Sequence, residues 1–130
     1  MSVTVLDASA VLAFLIRERG ADRVGAAMDA GAVVSALTVQ EVVSKLVQRG
    51  MATAEAAEAV EALGIAVHDL TMSLAVDAGG LFPLTRAHGL SHGDRACLAL
   101  GRALEALVLT SDKAWSDVGE PLKLRVEQFR

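Results

Sequence analysis

The chain contains no tyrosine, one tryptophan and three phenylalanines, so aromatic residues make up only 3% of its 130 residues. A core with so few rings must be layered from aliphatic side chains, and 53% of the residues are hydrophobic, chiefly alanine, valine and leucine. A single cysteine, Cys97, excludes an internal disulfide and points to a reducing compartment. Inside the helical run "RACLAL" it reads as a small packing residue rather than a nucleophile. No stretch approaches the roughly 20 apolar residues of a membrane span. "MSVTVLD" lacks the basic start of a signal peptide, so a cytoplasmic location is expected. The three histidines, His68, His88 and His92, show no metal-ligand spacing and read as strand and loop residues, although His92 stands two residues from Asp94. No internal repeat, low-complexity tract or linker interrupts residues 1–130, which are read as one domain. The net charge of −4 argues against a nucleic-acid coat protein. It leaves room for an enzyme that reaches nucleic acid through metal ions, because acidic ligands themselves lower the net charge.

What is present alternates. "VTVLD" is a β-branched run closed by an aspartate, and "ASAVLAFLIRE" then places Val11, Leu12, Leu15 and Ile16 at helical spacing. "ADRVGAAMDA" reads as a short helix and "AVVSAL" as a buried strand. "TVQEVVSKLVQRG" is a helix with Val42, Val43, Leu46 and Val47 on one face and Gly50 as its stop. The helix "TAEAAEAVEALG" and the strand "IAVHDL" follow. "TMSLAVDAGGLFPLTRAHG" is helical but carries Gly79, Gly80 and Pro83, so two pieces or a kink are expected. The chain closes with the helix "GDRACLALGRAL", the strand "LVLTSD", a helical turn at "KAWSDVG" and a last strand near "LKLRVE". Such alternation predicts an α/β fold, a mainly parallel sheet covered by helices on both faces.

In that topology the carboxyl ends of the strands and the amino ends of the crossover helices share one edge. Asp7 directly follows strand one. Glu41 is expected in the first turn of the helix after strand two, and Asp94 in the first turn of the helix before "LVLT". Asp112 directly follows "LVLTS". Each has a plainer reading: "TVQE" and "SHGD" both fit the capping box, and Asp7 and Asp112 could cap the helices that follow them. Asp69 shares the strand-end position, but its strand is expected at an outer edge of the sheet. Convergence of four acids changes the balance. Two carboxylates about 5 Å apart repel by roughly 3 kcal/mol at an effective dielectric near 20. Several such pairs would consume much of a domain's stability of about 5–15 kcal/mol. The cluster must take up protons or bind a hard cation, and an all-oxygen site with few protein ligands suits Mg²⁺ or Mn²⁺.

At these residues the chain resembles a PIN-domain protein, and in particular the VapC toxins of bacterial toxin–antitoxin pairs. The resemblance runs through "VLDASAVLAFL", "SALTVQEVVSKL", "RAHGLSHGDRACLALG" and "VLTSDKAW", and the order and spacing of these blocks carry its specificity. It implies a PIN-like α/β/α sandwich and a Mg²⁺-dependent endoribonuclease whose acidic quartet is Asp7, Glu41, Asp94 and Asp112, with Asp7 and Asp94 as metal ligands. It also implies water as the nucleophile, leaving a 5′-phosphate and a 3′-hydroxyl. Ser9 and Thr110 match small polar residues near that site, and Asp117 is peripheral. The implied partners are an RNA substrate, a VapB-type antitoxin whose tail lays a basic side chain across the acids, and a second toxin copy. The apolar helices near residues 42 to 60 are candidates for that dimer contact.

The remaining residues divide between bland and functional readings. Trp115 is read as a packing anchor rather than a base-stacking platform. Arg95 could orient a carboxylate or touch a phosphate. Arg17, Arg19, Arg23, Lys45 and Arg49 are candidates for an RNA path. Three rival functions are weighed. A haloacid-dehalogenase-type phosphatase wants a second aspartate where Ser9 stands. A phosphoacceptor receiver domain wants paired acids after strand one, which "LDAS" lacks. A catalytically silent PIN-like binding module is expected to have lost one or more of the four acids, and all are present.

Overall fold

A computed structural model describes residues 3–130. Five strands form one parallel sheet in the order β3-β2-β1-β4-β5. They are β1 (Thr4–Leu6), β2 (Ala32–Ser35), β3 (Ala66–His68), β4 (Leu107–Thr110) and β5 (Val126–Gln128). The connecting helices are α1 (Ala8–Leu15), α2 (Ala21–Gly31), α3 (Ala36–Gln48), α4 (Thr53–Glu61), α5 (Met72–Gly80), α6 (Phe82–Thr85) and α7 (His92–Leu104), with 3-10 turns at Arg86–His88 and Lys113–Asp117. Neighbouring strand residues divide between the two sheet faces. Val5, Val33 and Val108 join α7, Trp115 and Leu122 on one side. Leu6, Val34 and Leu109 join α1, α3 and the buried Ala27 of α2 on the other. Burial on both faces is why the strands read as unbroken apolar runs. As expected, β3 is an outer strand, Trp115 is fully buried, and Cys97 is buried with its thiol 3.9 Å from the Leu6 carbonyl.

Several boundaries differ from the sequence reading. The strand expected over "AVVSAL" stops at Ser35, whose side chain accepts from the Leu37 N–H and starts α3 there. "TVQE" is therefore not a capping box, and Thr38 lies inside the helix, buried, with its hydroxyl unpartnered. Gly79 and Gly80 do not break their helix. The interruption falls at Leu81, and Pro83 sits in the first turn of α6, where its missing N–H costs nothing. The last strand begins at Val126 rather than at Leu122, because Lys123 adopts a left-handed backbone with φ +55° and ends any extended run through "LKL". Large apolar side chains are exposed less on the helices at 42 to 60 than between Val67 and Leu84: Met72 is 82% exposed and Val76 62%, against 40% for Val47.

Candidate active site

The sheet order reverses direction at β1, with β2 and β3 to one side and β4 and β5 to the other. That switch opens a crevice at the carboxyl ends of β1 and β4, the usual ligand site of an open α/β sheet. Asp7 leaves β1 into the crevice and caps α1, accepting from the Ala10 N–H at 2.9 Å. The residue is only 6% exposed, and its carboxylate is held from two further directions: Ser9 Oγ donates to Oδ1 at 2.6 Å, and Thr110 Oγ1, at the end of β4, donates to Oδ2 at 2.5 Å. Ser9 Oγ in turn accepts from the Ser111 N–H, and Thr110 Oγ1 accepts from the Asp112 N–H. The two hydroxyls thus tie the ends of β1 and β4 into one network. Asp112 caps the turn beyond β4, accepting from the Ala114 N–H at 3.0 Å.

Asp94 is the third residue of α7 and completes the expected capping box. The Ser91 hydroxyl accepts from the Asp94 N–H, and Asp94 Oδ2 accepts from the Ser91 N–H. Only one carboxylate oxygen is engaged, so capping leaves the other free. Glu41 is one turn deeper in α3 than the sequence reading placed it, because the helix starts at Ala36. Its carboxylate lies against Gly93 so closely that a Cβ there would stand 2.2 Å from Oε1. Gly93, which the sequence reading passed over, is therefore what lets Glu41 approach the start of α7. The only sequence signal is its place beside an acid in a helix's first turn.

The four acids feel one another. Asp94 raises the pKa values of both Asp7 and Glu41, Asp7 raises that of Glu41, and Asp112 raises that of Asp94. Burial is the larger cause in each case. It pushes the Asp7 carboxyl up against the opposing pull of Ser9, Thr110 and the Ala10 amide. Glu41 is pushed from 4.5 up to about 7 by burial and by its acidic neighbours, with Lys45 as a weaker opposing charge. Asp94 is also raised by burial, against its Ser91 hydrogen bonds and the nearby Arg95 charge. Among the described residues no lysine or arginine forms an ion pair with any of the four. Nor do three acidic, histidine or cysteine side chains stand close enough to share an ion as placed. Like charges without a counter-ion splay onto other partners, here hydroxyls, amide N–H groups and a glycine. An all-oxygen, net-negative donor set with few protein ligands fits a hard divalent cation.

The other sequence candidates separate from this cluster. Arg95 neither orients an acid nor faces the crevice. It is 7% exposed, donates through Nη1 to the Leu90 carbonyl and through Nη2 to His92 Nδ1, each at 3.0 Å, and lies over the Phe82 ring. His92 is thereby committed to Arg95. Arg23 is paired at 3.0 Å with Glu127 and is not a free cation for an RNA path. Asp117 is exposed at the end of its turn, and Asp69 follows the outer strand β3, so both are peripheral to the crevice.

Comparison with known proteins agrees with this architecture. No curated protein sequence matches the chain. The VapBC complex of Salmonella typhimurium, determined bound to DNA, contains a chain that matches at TM-score 0.76 and 14% identity, covering 100% of both chains. A chain of the Rickettsia felis VapBC2 complex, bound to a DNA fragment from its promoter, matches at TM-score 0.74 and 12% identity, covering 97% of this chain and 98% of that one. VapC20 of Mycobacterium tuberculosis, a toxin that cleaves the sarcin-ricin loop, matches at TM-score 0.67 and 19% identity over 81% of this chain and 86% of its own. At such identities these structures attest the fold alone. The PIN domain family matches residues 4–121, nearly the whole of the chain. On its own sequence, then, and with a sheet and helix order shared with toxins of toxin–antitoxin complexes, this chain belongs to the PIN-domain family.

Proposed function

We propose that the protein is a Mg²⁺-dependent endoribonuclease and the toxin of a type II toxin–antitoxin pair. The observation that supports this most directly is the crevice itself, in which carboxylates from four separate segments repel one another and, among the described residues, no basic side chain forms an ion pair with them. The chain would hold the cation through Asp7 and Asp94, with Glu41 and Asp112 as further oxygen donors. A divalent ion there supplies charge stabilisation of the scissile phosphate and acidifies a water molecule. Asp7 is oriented for this by Ser9 and Thr110. Glu41, pushed up to about 7 by burial and its acidic neighbours before any cation is bound, would be held as the anion once the cation is there and would orient the attacking water. RNA as the substrate follows the sarcin-ricin-loop toxin among the structural relatives, and an antitoxin partner follows the toxin–antitoxin complexes. A basic side chain from that partner would neutralise the acids that now lack one. An apolar groove of about 440 Å³, walled by Val39, Val42, Val43, Val60 and Ile65, is of a kind that takes an amphipathic helix.

The test is incubation of the purified protein with total RNA, with Mg²⁺ or with chelator, and mapping of the new 5′ ends. Cleavage is expected with Mg²⁺ only, leaving 5′-phosphates. Asp94→Asn keeps an oxygen for the Ser91 amide and removes the charge. It should cost at least about 100-fold in rate, the upper end of what even an outer-sphere contact to a metal contributes. Full activity of both Asp7→Asn and Asp94→Asn would remove the ligand assignment.

A further inference from the structure

Beside the acid crevice lies a separate concavity. It measures about 190 Å³ and is walled by Leu37, Leu70, Ala75 and Gly79, with His92 and Arg95 as its polar members. It shares two elements with the crevice. Leu37 sits one turn before Glu41 in α3, and Arg95 follows Asp94 in α7. Arg95 is unusual because its guanidinium is always ionised, the residue is more than nine-tenths buried, and among the described residues no carboxylate forms an ion pair with it, Asp94 acting on it only at longer range. Burying a charge without an ion-pair partner in contact is costly. The guanidinium is nevertheless held firmly in one orientation: the Phe82 ring centroid lies 5.5 Å from its carbon, the Leu90 carbonyl takes Nη1, and His92 Nδ1 takes Nη2. Since Nδ1 accepts, the Nε2 of a neutral His92 carries the hydrogen. The remaining N–H groups of the fork have no protein acceptor among the described residues.

We infer that this concavity is a base pocket, receiving one unstacked guanine of single-stranded RNA next to the phosphate held at the acids. The nature of the ligand rests on the ribonuclease reading, while the pocket rests on its own geometry. A guanidinium that keeps N–H groups beyond those given to Leu90 and His92, at the wall of a mostly apolar concavity, suits a flat ring with adjacent acceptors at its edge, which guanine offers in O6 and N7. The apolar walls cover the faces of the ring, and the surrounding acids disfavour a bare phosphate. Splaying a base into a pocket is how proteins read single-stranded RNA.

The test uses the wild-type protein with Ca²⁺ in place of Mg²⁺ and short fluorescent oligouridylates with or without one central guanosine, followed by anisotropy. The single guanosine is expected to tighten binding about tenfold, the scale of one bidentate arginine–guanine contact. Replacing it with 7-deazaguanosine should lose most of that gain. Arg95→Lys, which keeps the charge but not the fork, should abolish it. So should Ala75→Phe, which fills the concavity from an exposed position on α5 and tests the idea independently should the arginine variant fail to fold. Equal affinity for all probes overturns the proposal. So does a guanosine gain that survives both substitutions, or one that inorganic phosphate competes away. RNA cutting in Mg²⁺ with no guanosine preference sinks the pocket and spares the nuclease. Arg95-dependent guanosine binding by a protein that cuts nothing does the reverse.

Discussion

Asp7 is pulled in two directions, toward neutrality by burial and toward the anion by two hydroxyls and an amide. Thr110→Val removes the donor to Oδ2 while preserving shape. It should raise the Asp7 pKa further, moving the acidic limb of the cleavage pH profile to higher pH. It should also cost about 1.5–3 kcal/mol of stability where Asp7 is ionised, read from denaturant midpoints. Gly93→Ala tests a different contact. The new methyl meets the flexible end of Glu41 rather than backbone, so Glu41 must swing away and the fold should survive. Cleavage is expected to fall at least about tenfold with an unchanged melting temperature, the low end of the loss from displacing a group that supports a metal site. Asp94 was legible as both cap and acid, because the "SHGD" spacing dictates the box and leaves one oxygen free. Arg95 was not. Whether a side chain beside an acid faces it or turns away depends on what lies behind, here Leu90, His92 and Phe82.

At the scale of elements, the order of strands and helices could be read from periodicity, whereas their ends could not always be. The start of α3 shows why. Ser35 and Thr38 are both competent N-caps, and local chemistry ranks them nearly equal. Pairing of β2 with β1 and β3 ends the strand at Ser35 and hands the cap to that residue. The two positions should therefore respond oppositely. Ser35→Ala is expected to cost about 1 kcal/mol. Thr38→Val should be neutral or stabilising, since it replaces a buried hydroxyl without a partner. Equal losses at both in urea unfolding would contradict the cap assignment. The break near residue 81 follows the same logic: "GG" is permissive rather than prohibitive, and the helix ends where Pro83 needs a first turn.

For the whole molecule, the crevice links stability to pH. Glu41 binds its proton more tightly folded than unfolded, since its folded pKa is about 7 against 4.5. Between those values the native state holds more protons than the unfolded chain, so stability must fall as pH rises. Asp7 and Asp94, raised as well, act in the same direction. The metal-free protein should accordingly melt higher at pH 5 than at pH 7.5, a direction that a single pH series of melting curves can reverse. Mg²⁺ should raise the melting temperature at pH 7.5 and lose that effect near pH 5, where protons compete for the same oxygens. Asp94→Asn should flatten both dependences.

Residue pattern by itself settled the layered α/β architecture, the outer position of β3 and the candidacy of Asp7, Glu41, Asp94 and Asp112. These follow from periodicity and from the shared edge that parallel topology imposes on strand and helix ends. Tertiary contact alone decided which hydroxyls hold Asp7, that Glu41 rests on Gly93, and that Arg95 turns to its own pocket. The reason is physical: a side chain's direction is chosen by neighbours from distant segments, and the sequence between those segments carries no record of which of them will meet.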